Sequence, residues 1–156
     1  MAFLRPSPIV DPEAEIRGAH VYLRHPTMQD YAAWAELRAL SRTHLVPWEP
    51  QWARDELTRS NFRRRLRQYH RELRDDHGYA YLIFGDTDSK LIGGLNISNV
   101  RRGVAQTAAL GYWMGAPHVG RGLMTDAVRA TLRFVFGVLR LNRLEAQLHH
   151  DRHDAD

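Results

Sequence analysis

Apolar residues recur along the chain with two different spacings, and these spacings predict its secondary structure. Strand-type segments cover residues 19–24, 79–84, 91–100, 107–114 and 143–148. Helical spacing covers residues 28–43, 55–74 and 122–136. The resulting order, β-α-α-β-β-β-α-β, favours an α/β (α+β) fold in which a mixed, mostly antiparallel sheet is flanked by helices.

The turn-forming residues refine this picture. Thr27 is a plausible N-cap for the first helix, and Gly137 lies where the last helix should stop. Short turns at 85–88 and 101–103 join three strands into an antiparallel meander. The buried stripe of the second helix is predicted from its apolar residues, Leu57, Phe62, Leu66, Tyr69 and Leu73.

The length of 156 residues is that of a single domain. We expect a loose lead-in over residues 1–14, which are Pro-rich and acidic, a domain over 15–148, and a polar tail over 149–156. No internal repeat interrupts this organisation.

The charge pattern narrows the classes of partner. The chain has no cysteine, which excludes disulfides and thiolate metal sites, and its formal net charge is +4. Lys90 is the single lysine, so arginine supplies the positive charge. Arginine suits phosphate oxygens, which fits a nucleotide-bearing cofactor, a nucleic acid or an acidic partner, although an Arg-biased coding composition explains it equally well.

The sequence shows neither a signal peptide nor an apolar run long enough to span a membrane. We therefore expect a soluble cytoplasmic protein with no membrane partner.

A glycine loop between the third meander strand and the last helix is the strongest candidate for chemistry. Gly120 and Gly122 flank Arg121 at the start of the helix. The first helical N–H groups have no partner within the helix, and glycine lets an anion approach them closely. The loop is neither a Walker loop nor a Rossmann fingerprint, because no Gly-Lys-Ser/Thr and no third glycine follows. His118, just before the loop, could touch a phosphate or simply face solvent.

Two stretches, residues 111–115 and 120–127, resemble the strand and the coenzyme A motif of GNAT N-acetyltransferases, especially the ribosomal-protein-alanine (RimJ-like) group. Residues 42–50 and 141–146 resemble that group too. The similarity covers about residues 17–147 and implies acetyl-CoA as the acetyl donor, with no metal.

The resemblance also implies donor-site residues. Backbone groups of the loop would contact the pyrophosphate, and the strand before it would pair with the pantetheine arm. Val119 and Met124 depart from the family pattern, which has Gln or Arg and Gly or Ala there. The implied set is Trp113, Met114, Gly115, Val119, Gly120, Arg121, Gly122, Leu123 and Met124.

Transfer to an amine needs a neutral amine and a polarised thioester carbonyl. We expect a backbone N–H of Met114 or Gly115 to hold the thioester oxygen. Glu49, between Trp48 and Pro50, is the candidate base or acceptor-binding acid, although it could be an ordinary loop carboxylate. Tyr112 is the candidate acid, although a strand tyrosine is more often a core residue.

Relatives of this group continue past the last strand with a helix and two more strands. Here residues 149–156 follow, without an apolar pattern, and we interpret the chain as truncated and lacking that unit. The last strand would then be an exposed edge, which favours self-association. His149, His150 and His153 are interpreted as part of a polar tail rather than a metal site.

The predicted function is acetyl transfer from acetyl-CoA to an amine, most simply the N-terminal α-amino group of a protein such as a ribosomal protein, or a small amine. One alternative is a coenzyme A-binding domain with impaired catalysis. Another is a basic ribosome- or RNA-binding module that uses residues 63–67, although the acidic residues nearby favour a solvated mixed-charge helix.

Overall fold

A six-stranded sheet forms the centre of the molecule in a computed structural model that describes residues 14–146. Its strands are β1 (Ile16–Arg17), β2 (Val21–Arg24), β3 (Tyr79–Gly85), β4 (Leu91–Arg101), β5 (Thr107–Met114) and β6 (Arg143–Ala146). The helices are α1 (Tyr31–Leu40), α2 (Arg42–Leu45), α3 (Arg59–Arg74) and α4 (Leu123–Gly137). Single 3-10 turns precede α1 at Met28–Asp30 and follow β5 at Ala116–His118.

The strands lie in the sheet in the order in which they occur in the chain. Each neighbouring pair from β1 to β5 is antiparallel, and only β5 and β6 are parallel, because α4 carries the chain back between them. This confirms the predicted mixed, mostly antiparallel sheet flanked by helices.

The helices cover the two faces of the sheet and so create two cores. Successive residues of β3 point to opposite faces: Ile83 packs with α4 residues such as Val135, whereas Leu82 packs with Trp34 of α1 and Phe62 of α3. Burial on both faces explains why β3 is an almost continuous apolar run.

The structure corrects the predicted boundaries of three elements. Residues 18–20 form the turn between β1 and β2 instead of the start of one strand. The predicted first helix is interrupted at Ser41, whose buried hydroxyl accepts the N–H of Ala116 at 2.9 Å. Leu40, the last residue of α1, is 65% exposed and does not pack into the core.

The predicted helix at 55–74 begins four residues later than expected. The side chain of Thr58 accepts the N–H of Asn61 and caps α3, so residues 55–57 precede the helix. Phe62 and Leu66 are buried as predicted, and Leu57 still packs against the same core from the preceding turn. All but the last residue of the expected lead-in over 1–14, and all of the expected tail over 149–156, lie outside the described residues, as does the end of the last predicted strand, residues 147–148.

Within the described residues, no helix has the length and apolar character needed to cross a membrane.

Candidate functional site

The glycine loop forms one wall of an open cavity of about 340 Å³ at the start of α4. Gly120 and Gly122 have φ angles of 77° and 73°, in the left-handed region that glycine adopts without strain. Apart from the glycine and its two chain neighbours, no atom of residues 14–146 lies within 4 Å of the position that a Cβ would take at either residue, so the space above the loop is open in this part of the chain. The cavity is lined by His44, Tyr112, Met114, His118, Val119, Gly120, Gly122, Leu123, Met124 and Thr125.

Gly122 is the N-cap of α4, and no side chain caps the helix there. The first N–H groups of α4 are therefore left for an anion, and the helix dipole adds a positive potential. Asp126 lies in the first turn of α4, but its carboxylate is directed away from the cavity. It accepts hydrogen bonds from the N–H groups of Ala19 and His20, between β1 and β2, at 2.9 and 2.7 Å.

A buried histidine holds the cation of the loop. His118 is only 5% exposed, so a solvent-facing position is wrong. Burial lowers the pKa of His118, and its Nδ1 accepts a 2.6 Å hydrogen bond from the guanidinium of Arg121. A neutral imidazole thus holds Arg121 beside the cavity. No pattern in the sequence predicted this contact.

The outer edge of β5 is the second part of the donor site. Pairing with β6 extends from Thr107 to Leu110, so the described part of β6 leaves the end of β5 uncovered. Gly115 donates its N–H to Ile92 of β4 at 2.8 Å, and in an antiparallel ladder the next N–H, that of Met114, points to the other side. Of the two candidate thioester donors, Met114 is therefore the one with an outward N–H.

A second cavity, of about 440 Å³, lies between the sheet and the helices α1 and α3. Glu49 and Trp113 line it, as do Gly111 of β5 and Asn96 of β4. Tyr112 is the single described residue that lines both this cavity and the one at the glycine loop. The backbone of β5 thus separates two neighbouring spaces and could bring a donor and an acceptor together.

Glu49 is held in place by a buried arginine. Arg38 is 4% exposed and donates to both carboxylate oxygens of Glu49, at 2.9 and 2.8 Å. Trp52 donates its indole N–H to the same carboxylate at 2.8 Å. The Arg38 guanidinium also lies 4.7 and 4.9 Å from the ring centroids of Trp52 and Trp113. With three hydrogen bonds on its two oxygens, Glu49 is better suited to shaping an acceptor site than to taking up a proton.

Sequence reasoning missed Arg38 as a member of the site. Arg38 lies four residues after Trp34, on the buried face of α1. A charged residue at this buried spacing was the feature of the sequence that could have identified it as a site residue. A buried charge requires a partner, and the aromatic loop at 47–52 supplies one.

Between the first and last arginines of α3, five others fall into two groups. Arg64 and Arg65 pair with Asp55 and Glu56 at 2.6 and 2.5 Å. Arg63, Arg67 and Arg71 are exposed, follow one another at four-residue spacing, and make no ion pair with any residue of the described range 14–146. Arg63, Arg67 and Arg71 therefore form a cationic stripe along α3, beside the ion-paired Arg64 and Arg65.

Comparison with known proteins provides a family match over most of the chain. Residues 20–154 match the family described as "Acetyltransferase (GNAT) domain". A probable N-acetyltransferase of Bacillus subtilis (strain 168), YjcK, is 32% identical over 131 residues, which are 84% of this chain and 72% of the relative. The [ribosomal protein uS5]-alanine N-acetyltransferase of Escherichia coli (strain K12) is 29% identical over 132 residues, or 83% and 68% of the two chains.

Among solved structures, Mycobacterium smegmatis RimJ in complex with CoA-disulfide superimposes with a TM-score of 0.76 at 29% identity. The match covers 86% of this chain and 68% of that one. The family match over residues 20–154 includes strands β2 to β6, the glycine loop and the helix α4.

Proposed function

Since the chain belongs to the GNAT acetyltransferase family and is an acetyl-CoA-dependent N-acetyltransferase, we propose that its acceptor is the N-terminal α-amino group of a protein. The observation that carries the proposal is the position of Tyr112, which lines the glycine-loop cavity on one side and, on the other, a tryptophan-walled cavity in which Arg38 holds the Glu49 carboxylate. The name of the E. coli relative, a ribosomal-protein-alanine acetyltransferase, supports the same acceptor class. A cytoplasmic location remains a prediction.

The residues of the glycine loop fit the pyrophosphate of coenzyme A. The open space above Gly120 and Gly122 admits phosphate oxygens, and the uncapped start of α4 and Arg121 supply donors and positive charge. We assign the backbone N–H groups of residues 119–124 to this contact. We assign the outward edge at Met114 to the pantetheine arm; Trp113 and Gly115, on either side of it, face β4 by the alternation of the antiparallel ladder and support that edge. Acetyl-CoA, when bound, supplies the acetyl group as a thioester.

An α-amino acceptor needs little activation by the protein. A protein α-amino group has a pKa near 7.7–8.0, against about 10.4 for lysine, so much of it is already neutral at physiological pH. The Met114 N–H would polarise the thioester carbonyl. Tyr112, between the two cavities, is the proposed acid for the thiolate that leaves when the amine forms its bond to the acetyl carbon, and the proton that the amine nitrogen loses passes to water. Glu49 with Arg38 is the proposed binding site for the acceptor.

The test measures binding and transfer separately. Acetyl-CoA is titrated into the protein by calorimetry, and the protein is then incubated with acetyl-CoA and peptides that start with Ala or Ser. Mass spectrometry should find the acetyl group on the α-amine, and the same peptides with a blocked N-terminus and a free lysine should stay unmodified. Transfer to lysine alone would contradict the proposed acceptor class.

The same experiment decides the alternatives. Binding of acetyl-CoA without transfer to any amine would identify a coenzyme A-binding domain with impaired catalysis. Absence of binding would contradict both readings. An RNA affinity that falls steeply with salt, and that is lost when Arg63, Arg67 and Arg71 are replaced by Gln, would favour the basic-module reading.

A further inference from the structure

A third cavity, of about 510 Å³, lies where the chain leaves β2 and passes beneath α3. Pro26 and Tyr69 line both this cavity and the acceptor cavity beside Glu49, so the two spaces adjoin. Its remaining lining is Arg24, His25, Thr27, Gln29, Leu66, His70 and Leu73.

His25 brings an unsatisfied hydrogen-bond acceptor to this cavity. Its Nδ1 lies 2.8 Å from the carbonyl oxygen of Ala80, and because a carbonyl can only accept, Nδ1 carries the proton. Nε2 is then the bare acceptor of a neutral imidazole, and it is buried with no partner among residues 14–146. The ring stacks on Tyr81 with 4.5 Å between the centroids, which fixes its orientation.

The position of His25 follows from the register of the sheet. Pairing between β2 and β3 ends at Arg24 and Leu82, so the carbonyl of Ala80 lies beyond the last paired residue. The His25 side chain satisfies that carbonyl in place of a strand. Since Nδ1 faces the carbonyl of Ala80, Nε2 lies on the part of the ring that is directed away from that carbonyl.

A row of paired residues runs across the sheet from the hydrogen-bond partner of His25 to Tyr112, the proposed acid. Ala80 pairs with Asn96, Asn96 pairs with Gly111, and Gly111 precedes Tyr112. All three paired residues line the acceptor cavity. Strands lie about 4.8 Å apart, so the path from β5 across β4 and β3 to the far side of His25 is on the order of 14 Å. An extended peptide covers that distance with about four residues.

We propose that the two adjoining cavities form one acceptor groove and that His25 is a specificity-determining residue, which accepts a hydrogen bond from an uncharged donor side chain about four residues from the acceptor's N-terminus. The proposal rests on the function proposed above. The apolar side chains of Leu66 and Leu73 and the neutral imidazole favour a hydroxyl or amide. An ammonium group would find no carboxylate among the residues that line the cavity, and a carboxylate has no proton to donate to Nε2.

Two series of peptides test the proposal. Peptides of two to six residues with the same first two residues should show a KM that falls until about four residues and then levels off. At the fourth residue, Thr should give roughly fivefold higher kcat/KM than the isosteric Val, the value of one net hydrogen bond, whereas the same exchange at the second residue should change little. Equal KM values for dipeptide and hexapeptide would overturn the groove.

A protein variant tests the role of His25 itself. His25→Phe keeps an aromatic ring against Tyr81 but removes Nε2, and it should abolish the Thr-over-Val preference while leaving acetyl-CoA affinity unchanged. His70→Asn, in the same cavity but on the surface of α3, is the matched control and should keep the preference. Retention of the preference in His25→Phe would overturn the assignment.

Binding gives a readout that does not depend on turnover. Trp34, Trp52 and Trp113 line the acceptor cavity, so peptide binding in the presence of coenzyme A should change tryptophan fluorescence. Failure of every peptide to be acetylated, with length-dependent binding intact, would contradict the proposed function but not the groove. Acetylation of all lengths alike would contradict the groove but not the function.

Discussion

At the scale of single residues, Gly122 meets two requirements, a left-handed backbone and free space for an anion, and mutation can separate them. Its φ of 73° is strained for most side chains, and a side chain there would occupy the open space assigned to phosphate. Asn tolerates the left-handed region, so Gly122→Asn tests the space alone, whereas Gly122→Asp of the same shape adds a negative charge.

We expect Gly122→Asp to bind acetyl-CoA at least about tenfold more weakly than Gly122→Asn, because a carboxylate would face the phosphates across a short distance. Calorimetry of the two variants measures this ratio. Gly103→Asp is the control, since Gly103 also has free space around it but lies in the β4–β5 turn. Equal affinities for the Asp and Asn variants at Gly122 would place the pyrophosphate elsewhere.

The kinetics of a Glu49 variant distinguish a role in acceptor binding from a role as the base. Glu49→Gln keeps an oxygen for the Trp52 indole but loses the charge that pairs with Arg38. If Glu49 binds the acceptor, as its three hydrogen bonds suggest, KM for the peptide should rise severalfold while kcat changes little. A drop of about a hundredfold in kcat, with loss of the ascending limb of the pH profile, would instead assign it as the base.

At the scale of elements, the sequence predicted which segments form helices and strands far better than where they begin. The meander was predictable because apolar runs and short turns are local signals. The interruption at Ser41 was not, since it depends on a hydrogen bond to Ala116 across the molecule. The glycine loop was found from its spacing, whereas the contacts of Arg38 and His118 depend on tertiary packing that no local pattern reports.

The attachment of α4 to the β1–β2 turn is one such tertiary contact. Asp126→Ala would remove the acceptor of the Ala19 and His20 N–H groups, and we expect a loss of about 1–2 kcal/mol in the free energy of unfolding. Urea denaturation measures it. Asp86→Ala, which removes an exposed 3.5 Å pair with Arg17, should cost less than about 0.5 kcal/mol. Equal costs for the two variants would show that the attachment contributes nothing to stability.

At the scale of the whole molecule, the ionisable groups divide the pH dependence of stability into two windows. Burial lowers the pKa of His25 and His118 from 6.5, so below that pH the unfolded chain binds more protons than the folded one. Asp30 and Asp76 have pKa values lowered from 3.8 by hydrogen bonds from Arg24 and Arg102, respectively, and each shift is opposed by burial. Their contribution is therefore present above about pH 3.8 and is lost as the pH falls further.

The free energy of unfolding should consequently decrease in two steps as the pH falls, first below about 6.5 and again below about 3.8. The first step tests the buried histidines directly, because protonation of His118 also removes the acceptor of the Arg121 hydrogen bond. His118→Gln should reduce the decrease in the free energy of unfolding between pH 7 and pH 5, measured by urea denaturation. An unchanged pH slope in His118→Gln would mean that this imidazole is protonated as readily in the folded protein as in the unfolded chain.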